Sequence, residues 1–546
     1  MNQSPAPHQI LSSRASRPSD ESRDLRLLFR NPFNLDRAPI SMKGLVTGHD
    51  FSRAESARKI IGALAPALLA LAASLAPAQQ SKPWDQIPIP RLHDFKPHEP
   101  TRIELKNGII LFLQEDHELP FISGSVVIPG GSRDEDPAKA GLVDLYQQAW
   151  RTSGTAKMSG DQMDDLLEAK AAHIETSGDD DSTAVAWDSL KADSDQVFDL
   201  AFDLLLHPKF AEDKLRLAQR QEAAAIVRRN DDEGQIAQRE SAKLVYGPNG
   251  PYTHQPELGT IGKITIADLQ AWHDKTIGGK LIVGIAGDFD PIAMAAKMRA
   301  AFESLPPVKP TPARHDTFRD PAPGVSFINK DDVNQSNVEI VGLGTDRKNP
   351  DVPALAILND ILSGGFASRL FQKVRTELGL AYAVGGGVGF GYDHPAAFRV
   401  EVLTKSSSTV EATDAALKVL GGFAARPVTE AELDRAKDSI LNSFIFRYDT
   451  RDKVLAERER LEFYGYPADY LETYKAAIEH VTAADVNAVA KKYLHPGKYA
   501  ILVVGNQPDI QPPLTSLNLG PVHPIDIAIP MPPRGPGGPS GAENNQ

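Results

Sequence analysis

The sequence contains no cysteine. That absence removes disulfides, thiolate zinc sites and a cysteine nucleophile together, so any metal or catalytic site must be built from His, carboxylates, hydroxyls and amides. Outside the N-terminal region no apolar run approaches the roughly 20 residues that a membrane-spanning helix needs. Basic charge is in the minority, 59 Lys and Arg against 72 Asp and Glu for a formal net charge of −13, which argues against a nucleic-acid binder with a basic face. There is no Gly-x-x-x-x-Gly-Lys-Ser/Thr phosphate loop and no Gly-x-Ser-x-Gly nucleophile elbow. The run Gly385-Gly386-Gly387-Val388-Gly389 lies between two strand patterns and opens no helix, so it reads as a strand whose bare backbone lets another chain approach. Asp179-Asp180-Asp181 lacks the Gly and the closing Glu of a calcium loop and reads as a solvated hairpin turn. None of the 14 histidines lies within a helical turn of another. The paired His at i and i+4 on one helix face, which the commonest zinc-peptidase motifs use, is therefore missing.

What is present begins with a targeting pattern. Ile60 to Leu75 carries no charge, Arg53, Arg58 and Lys59 precede it, and Ala76-Pro77-Ala78 follows as a small-x-small site. This is the order of a secretory signal, with cleavage expected after Ala78. The Arg-, Ser- and Pro-rich stretch before it points to Met42 as the true start, with residues 1–41 an extension. Residues 1–78 carry +4 of the formal −13, which leaves −17 on the remainder. The expectation is a periplasmic or secreted protein with no integral span after cleavage.

The remainder is two similar halves and a tail. Thr265-Ile-Ala-Asp leads through a short amphipathic helix to the strand Lys280-Leu-Ile-Val-Gly-Ile-Ala-Gly287. Thr482-Ala-Ala-Asp leads in the same way to Lys498-Tyr-Ala-Ile-Leu-Val-Val-Gly505. Both read as a Thr N-cap, an acidic first turn, and a buried strand closed by Gly. Each half also opens with strands, Arg102 to Gln114 turning at Asn107-Gly108. Helices follow at Gly141 to Trp150 and Ser159 to Ala172, and at Val352 to Leu362 and Ser368 to Glu377. The fold class is α+β, two tandem homologous domains, each an antiparallel-rich sheet packed with helices. The expected boundaries are 1–78 extension and signal, 79–97 linker, 98–305 first domain, 306–323 Pro-rich linker, 324–507 second domain and 508–546 tail. The Pro- and Gly-rich tail is expected to be disordered, with Ile525 to Ile529 the stretch able to dock as an extended strand.

Several strings resemble the insulinase, pitrilysin and mitochondrial-processing-peptidase family of inverzincin metallopeptidases. They are Leu105-Lys-Asn-Gly-Ile, Gly130-Gly131-Ser-Arg-Asp-Glu before Gly141-Leu142, Leu362-Ser-Gly-Gly-Phe-Ala-Ser-Arg-Leu370 and Arg375-Thr-Glu-Leu-Gly-Leu-Ala-Tyr382. The family carries zinc on His-x-x-Glu-His, the two His binding metal and the Glu acting as general base. Here the ligand positions hold Asp144 and Gln148 and the base position holds Gln147. A third family ligand, a Glu on a later helix, has only Glu222 near its place. The resemblance thus implies a chain with no zinc of its own.

The Arg375 and Tyr382 motif survives, and in two-chain members such a pair reaches into a shared cavity to bind substrate carbonyls. The resemblance further implies that Ala172 to Ser177 is an exposed sheet edge where peptides add as a strand, with His173 a peptide contact or a solvated residue. The leading expectation is an exported, non-catalytic subunit that pairs with a zinc-bearing homologue as a heterodimer and binds unstructured peptide. Two alternatives stand beside it: a weakly active metalloendopeptidase using Asp144 and Glu222, and a peptide-binding scaffold with no catalytic partner.

Overall fold

The computed structural model describes residues 96–309 and 316–531. The signal, its cleavage point and the Met42 start lie outside the described residues. The first domain opens with the hairpin of β1 (Thr101–Glu104) and β2 (Ile110–Glu115), where Gly108 supplies φ of 89°. Strands β3 (Phe121–Pro129), β4 (His173–Gly178), β5 (Ser182–Leu190) and β6 (Ile282–Gly287) complete a six-stranded sheet in the order β1-β2-β6-β3-β5-β4. The second domain contributes β7 (Gly324–Asn329), β8 (Gln335–Leu343), a short parallel pair of β9 (Thr345–Asp346) and β11 (Phe390–Gly391), β10 (Ala381–Val388), β12 (Ala397–Lys405), β13 (Ala500–Gly505) and β14 (Val522–Pro524). Its sheet runs β10-β12-β8-β13-β7-β14.

Five strands correspond between the domains. The order β2-β6-β3-β5-β4 matches β7-β13-β8-β12-β10, and in each set the first pair is parallel and the other three antiparallel. The two repeated segments found in the sequence become the equivalent central strands β6 and β13.

Helices α1 (Leu142–Ser153), α2 (Gly160–Lys170), α3 (Ser194–Leu206), α4 (Glu212–Arg228), α5 (Glu233–Tyr246), α6 (Leu258–Ile261), α7 (Ile266–Thr276) and α8 (Pro291–Phe302) belong to the first domain. The second has α9 (Val352–Ser363), α10 (Thr409–Gly421), α11 (Glu430–Arg447), α12 (Arg451–Phe463), α13 (Tyr470–His480) and α14 (Ala483–Tyr493). Thr265 caps α7 and Thr482 caps α14, each in a reciprocal box with the Asp three residues on. Each box satisfies two orphan amides of its helix. No helix among the described residues is long and apolar enough to cross a membrane.

Each domain lends one helix to the other's sheet. α5 lays Ile236 and Ala237 on Ile328, Leu502 and Val504 of the second sheet, and Val245 on Val341 and Ala500. α12 lays Leu455 on Ile110, Phe112, Ile282 and Ala286 of the first. Strands β6 and β13 are therefore covered on both faces, which is why they read as continuous apolar runs rather than alternating ones. Gly284 in β6 lies directly under α12, where a Cβ would collide with the Glu459 carboxylate.

The tail departs from expectation. Val522–Pro524 pairs in parallel with β7 and fills the sheet-edge slot that β1 fills in the first domain. Ile525 and Ile527 then pack against the α5 cluster and Ile529 against the first domain's core, while Asn230 Nδ2 donates to the Ile527 carbonyl at 2.7 Å. Proline and glycine content argued for disorder, but an open edge and an apolar seam order residues up to 531; residues 532–546 lie outside those described. The acidic turn also differs. Asp179 caps the β4–β5 hairpin as expected, accepting from the amides of Asp181 at 2.8 Å and Ser182 at 2.6 Å. Asp181, however, is half-buried and paired with Arg133 and the Tyr464 hydroxyl rather than solvated.

Candidate functional site

The turn after β3 sets the first half of the site. Gly130 takes φ of 124°, and Glu135, four residues beyond Gly131, turns inward beneath the start of α1. Its carboxylate accepts from the amides of Gly141 at 3.0 Å and Val143 at 2.6 Å, serving orphan donors of the helix N-terminus. Burial pushes Glu135 up to about 7 despite those two bonds, and the charges of Asp144 and Asp180 add to the rise.

Asp144, Gln147 and Gln148 are all half-buried on α1. Gln147, at the position of the family's base, is structurally employed. Its Oε1 accepts from the amide of Gly178 at the end of β4 at 2.8 Å, and its carbonyl accepts from Thr176 Oγ1 at 2.5 Å. Its Nε2 lies 3.5 Å from Asp144 Oδ1. The second domain repeats the device, with Asn359 on α9 accepting from Val388 N and donating to Val388 O, both at 2.9 Å, at the end of β10. A carboxamide can satisfy a strand's outward amide and carbonyl together, whereas it has no basic lone pair to take a proton from a metal-bound water. Glu222 is half-buried on α4, which packs along α1. Among the described residues no group of three or more His, Asp or Glu side chains is placed to hold a metal ion.

Among the described residues β4 is the terminal strand of its sheet and pairs only with β5. His173 at its start is exposed, with Nδ1 3.0 Å from Asp188 Oδ2 on the neighbouring strand. The equivalent terminal strand β10 is less open. Ser363 Oγ donates to the Gly386 carbonyl at 2.5 Å and Asn359 holds Val388, so α9 covers part of that edge. The glycine run lets this happen at close range, because a Cβ on Gly387 would strike the Asn359 carboxamide of α9.

The second half of the site joins α9 to β10. The segment expected as a plain helix over Ser368 to Glu377 winds as a π-helix over Phe371–Glu377, and Gly379 at φ 65° turns the chain into β10. Wider π turns recur at functional sites. Arg369 anchors this segment with a forked pair to Glu432, at 2.8 and 2.9 Å, and a further bond to the Arg426 carbonyl. Arg375 contrasts with it. Its guanidinium lies 4.9 Å from the Phe371 ring and 5.7 Å from the Tyr382 ring, and among the described residues it makes no hydrogen bond or ion pair. Glu377, the neighbour that could have taken it, pairs with Lys373 at 2.6 Å. Tyr382 falls at a register shift in β10 and is 73% exposed. The sequence motif is thus assembled: a guanidinium with aromatic rings beside it and its in-plane donors uncommitted, next to an exposed phenol.

Two features of the site carry no signal in the sequence. One is the Gln147 clamp, which no motif signals. The other is a polar cluster joining the domains, in which Arg133 donates to Asp393 at 2.7 Å and to Tyr252 at 2.9 Å while also pairing with Asp181. His394 stacks on Tyr252 with ring centroids 3.8 Å apart. Burial works against ionisation of Asp393, yet His394 and Arg133 hold its carboxyl down at about 2. Arg133 stood in the quoted Gly130 string, but its partners are 48 to 260 positions away and only folding brings them together.

The chain matches the family described as Insulinase (Peptidase family M16) over residues 111–242, and the Peptidase M16 inactive domain over residues 263–440. It is 25% identical over 405 residues to a Helicobacter pylori protein named non-peptidase homolog YmxG, covering 72% of this chain and 91% of that one. It is 24% identical over 411 residues to an uncharacterized zinc protease of Mycobacterium leprae, covering 74% and 91%. Among solved structures, a peptidase M16 inactive domain from Pseudomonas fluorescens superposes with a TM-score of 0.67 at 25% identity, covering 74% of this chain and 98% of that one. A protease from Helicobacter pylori shares the fold with a TM-score of 0.66 at 18% identity, covering 75% and 100%. With two α+β domains of matching topology, an Arg and Tyr motif assembled in the second and a zinc motif replaced in the first, this chain belongs to the insulinase family of peptidases, peptidase family M16.

Proposed function

We propose that this protein is an exported, non-catalytic subunit of a two-chain zinc peptidase. It pairs with a zinc-bearing homologue, encloses an unstructured peptide and presents Arg375 and Tyr382 to it. The observation that carries this reading is the Arg375 guanidinium, placed beside exposed Tyr382 with no acceptor among the described residues. A guanidinium in the plane of its donors is a fork for carbonyl or carboxylate oxygens, and a fixed donor opposite a metal can stabilise a developing oxyanion. The employment of Gln147 as a strand clamp supports the non-catalytic half of the reading, since a peptidase of this kind needs a base there. The zinc sits in the partner, and export rests on the apolar pattern ending at Ala78.

The test is reconstitution with a homologue carrying His-x-x-Glu-His and measurement of fluorogenic-peptide turnover. Alone, this chain should show no turnover and bind no stoichiometric zinc. In the pair, Arg375→Ala or Tyr382→Phe should lower turnover by on the order of 100-fold with the complex intact by light scattering. Arg375→Lys should not restore it, because a point charge lacks the planar fork. Near wild-type turnover in both single variants refutes the assignment.

A further inference from the structure

The loop between α9 and the π-helix places a large apolar side chain where the fold has no use for it. Gly365, at φ 79°, turns the chain so that Phe366 projects outward and is 75% exposed. The loop is nonetheless fixed. Gln372 Nε2 donates to the Phe366 carbonyl at 2.5 Å, and Ser368 Oγ donates to the Gly365 carbonyl at 2.8 Å. Phe366 meets Phe371 edge-on with centroids 5.0 Å apart, Phe371 lies beside Arg375, and Arg375 lies beside Tyr382. Leu378, 40% exposed, follows the last residue of the π-helix. The result is a ladder, Phe366, Phe371, Arg375 and Tyr382, built on a rigid support and open to solvent at both ends. Apolar surface left in water gains the folded state nothing, and clusters of aromatics with an Arg are the usual composition of binding hot spots.

The geometry points to Phe366 and Phe371 as a specificity subsite for a large apolar side chain of an extended peptide, lying beside the backbone or carboxylate oxygen to which Arg375 donates. The inference rests on the reading of Arg375 as a substrate contact and adds what that reading leaves open, the class of residue selected. The occupant follows from the two chemistries side by side. Arg375 offers in-plane donors that call for an oxygen acceptor, and its faces and the Phe366 ring offer apolar walls that call for an aromatic or long aliphatic group. A peptide supplies both within one residue of each other.

The experiment measures binding of two short fluorescein-labelled Ala/Gly/Ser peptides to the full chain by anisotropy. The peptides are identical except for a single central Phe or Ser. The wild-type protein should prefer the Phe peptide by about 10-fold, the order expected for partial burial of one such side chain. Phe366→Ser should bring that preference below about 3-fold without changing affinity for the Ser peptide, and Phe366→Leu should retain it. Arg375→Ala should weaken both peptides alike. A preference unchanged in Phe366→Ser, or absent in the wild type, overturns the subsite while leaving Arg375 in place. If Arg375→Ala changes neither peptide, the underlying reading of Arg375 falls and this inference with it. Phe366 is exposed, so native circular dichroism is expected of each variant.

Discussion

Glu459 lies on α12, buried between the second domain's helix and the first domain's sheet, with one hydrogen bond from Ser125 Oγ at 2.8 Å. Its surroundings are the bare Gly284 of β6 and the side chain of Leu455. Burial pushes its carboxyl up to about 8, against the smaller opposing effects of Ser125 and Arg460. Unfolded, the same group titrates near 4.5. Between those values the folded state holds a proton that the unfolded state has released. Stability therefore falls as pH rises through this window, by at most about 1.4 kcal/mol per pH unit, and levels off above it. The group's contribution is fully present below about 4.5. Allowing for relaxation of the site, the loss by pH 8 is on the order of 3 kcal/mol. Glu459→Gln keeps an acceptor for Ser125 and cannot ionise, so its stability should lack this component. Urea unfolding of both proteins at several pH values between 5 and 8.5 reads the effect. The difference between the two should be smallest near pH 5, and the variant should gain progressively on the wild type as pH rises. Taking the difference cancels other groups that titrate in the same range, such as Glu135. Parallel curves would show that Glu459 is solvated or charge-paired in solution and that α12 does not seal this face.

Three further outcomes are expected. Gln147→Ala should free the Gly178 amide, costing about 1–3 kcal/mol in unfolding free energy and raising hydrogen exchange at the β4 end ahead of the rest of the sheet. The triple change Asp144→His, Gln147→Glu and Gln148→His should give no peptidase activity by itself unless Glu222 reaches the metal, which zinc analysis and peptide turnover measure together. Removing residues 520–546 should strip β14 and the half-buried Ile525, Ile527 and Ile529, lowering stability by roughly 3 kcal/mol at about 1 kcal/mol per half-buried side chain. Exchange should then rise first in β7 and α5, and an unchanged melting temperature would mean the tail is not a strap.

Much of this architecture was legible in the sequence because it depends on local patterns. The Thr265 and Thr482 capping boxes, the strands that end at Gly287 and Gly505, and the Asn107-Gly108 turn are each fixed by neighbours a few residues apart. The replacement of His and Glu by Asp144, Gln147 and Gln148 is likewise a statement about residue chemistry and needs no coordinates. Arg375 and Tyr382 are set apart in the sequence by the resemblance of the string that they bound to the insulinase family, not by their residue types or spacing.

What only the tertiary structure decided is which groups meet over long separations. Nothing in α5 or α12 announces that each crosses to the other domain's sheet, since an amphipathic face encodes burial but not the partner. The acidic turn looked solvated because its counter-charge, Arg133, is 48 residues away, and the tail looked disordered because its support is an open sheet edge and another domain's helix. Burial is a property of the assembled surface. The same Gln147 is a poor base in any setting, but only the approach of Gly178 makes it a clamp, and only the folded arrangement shows that Arg375 has no acceptor among the described residues.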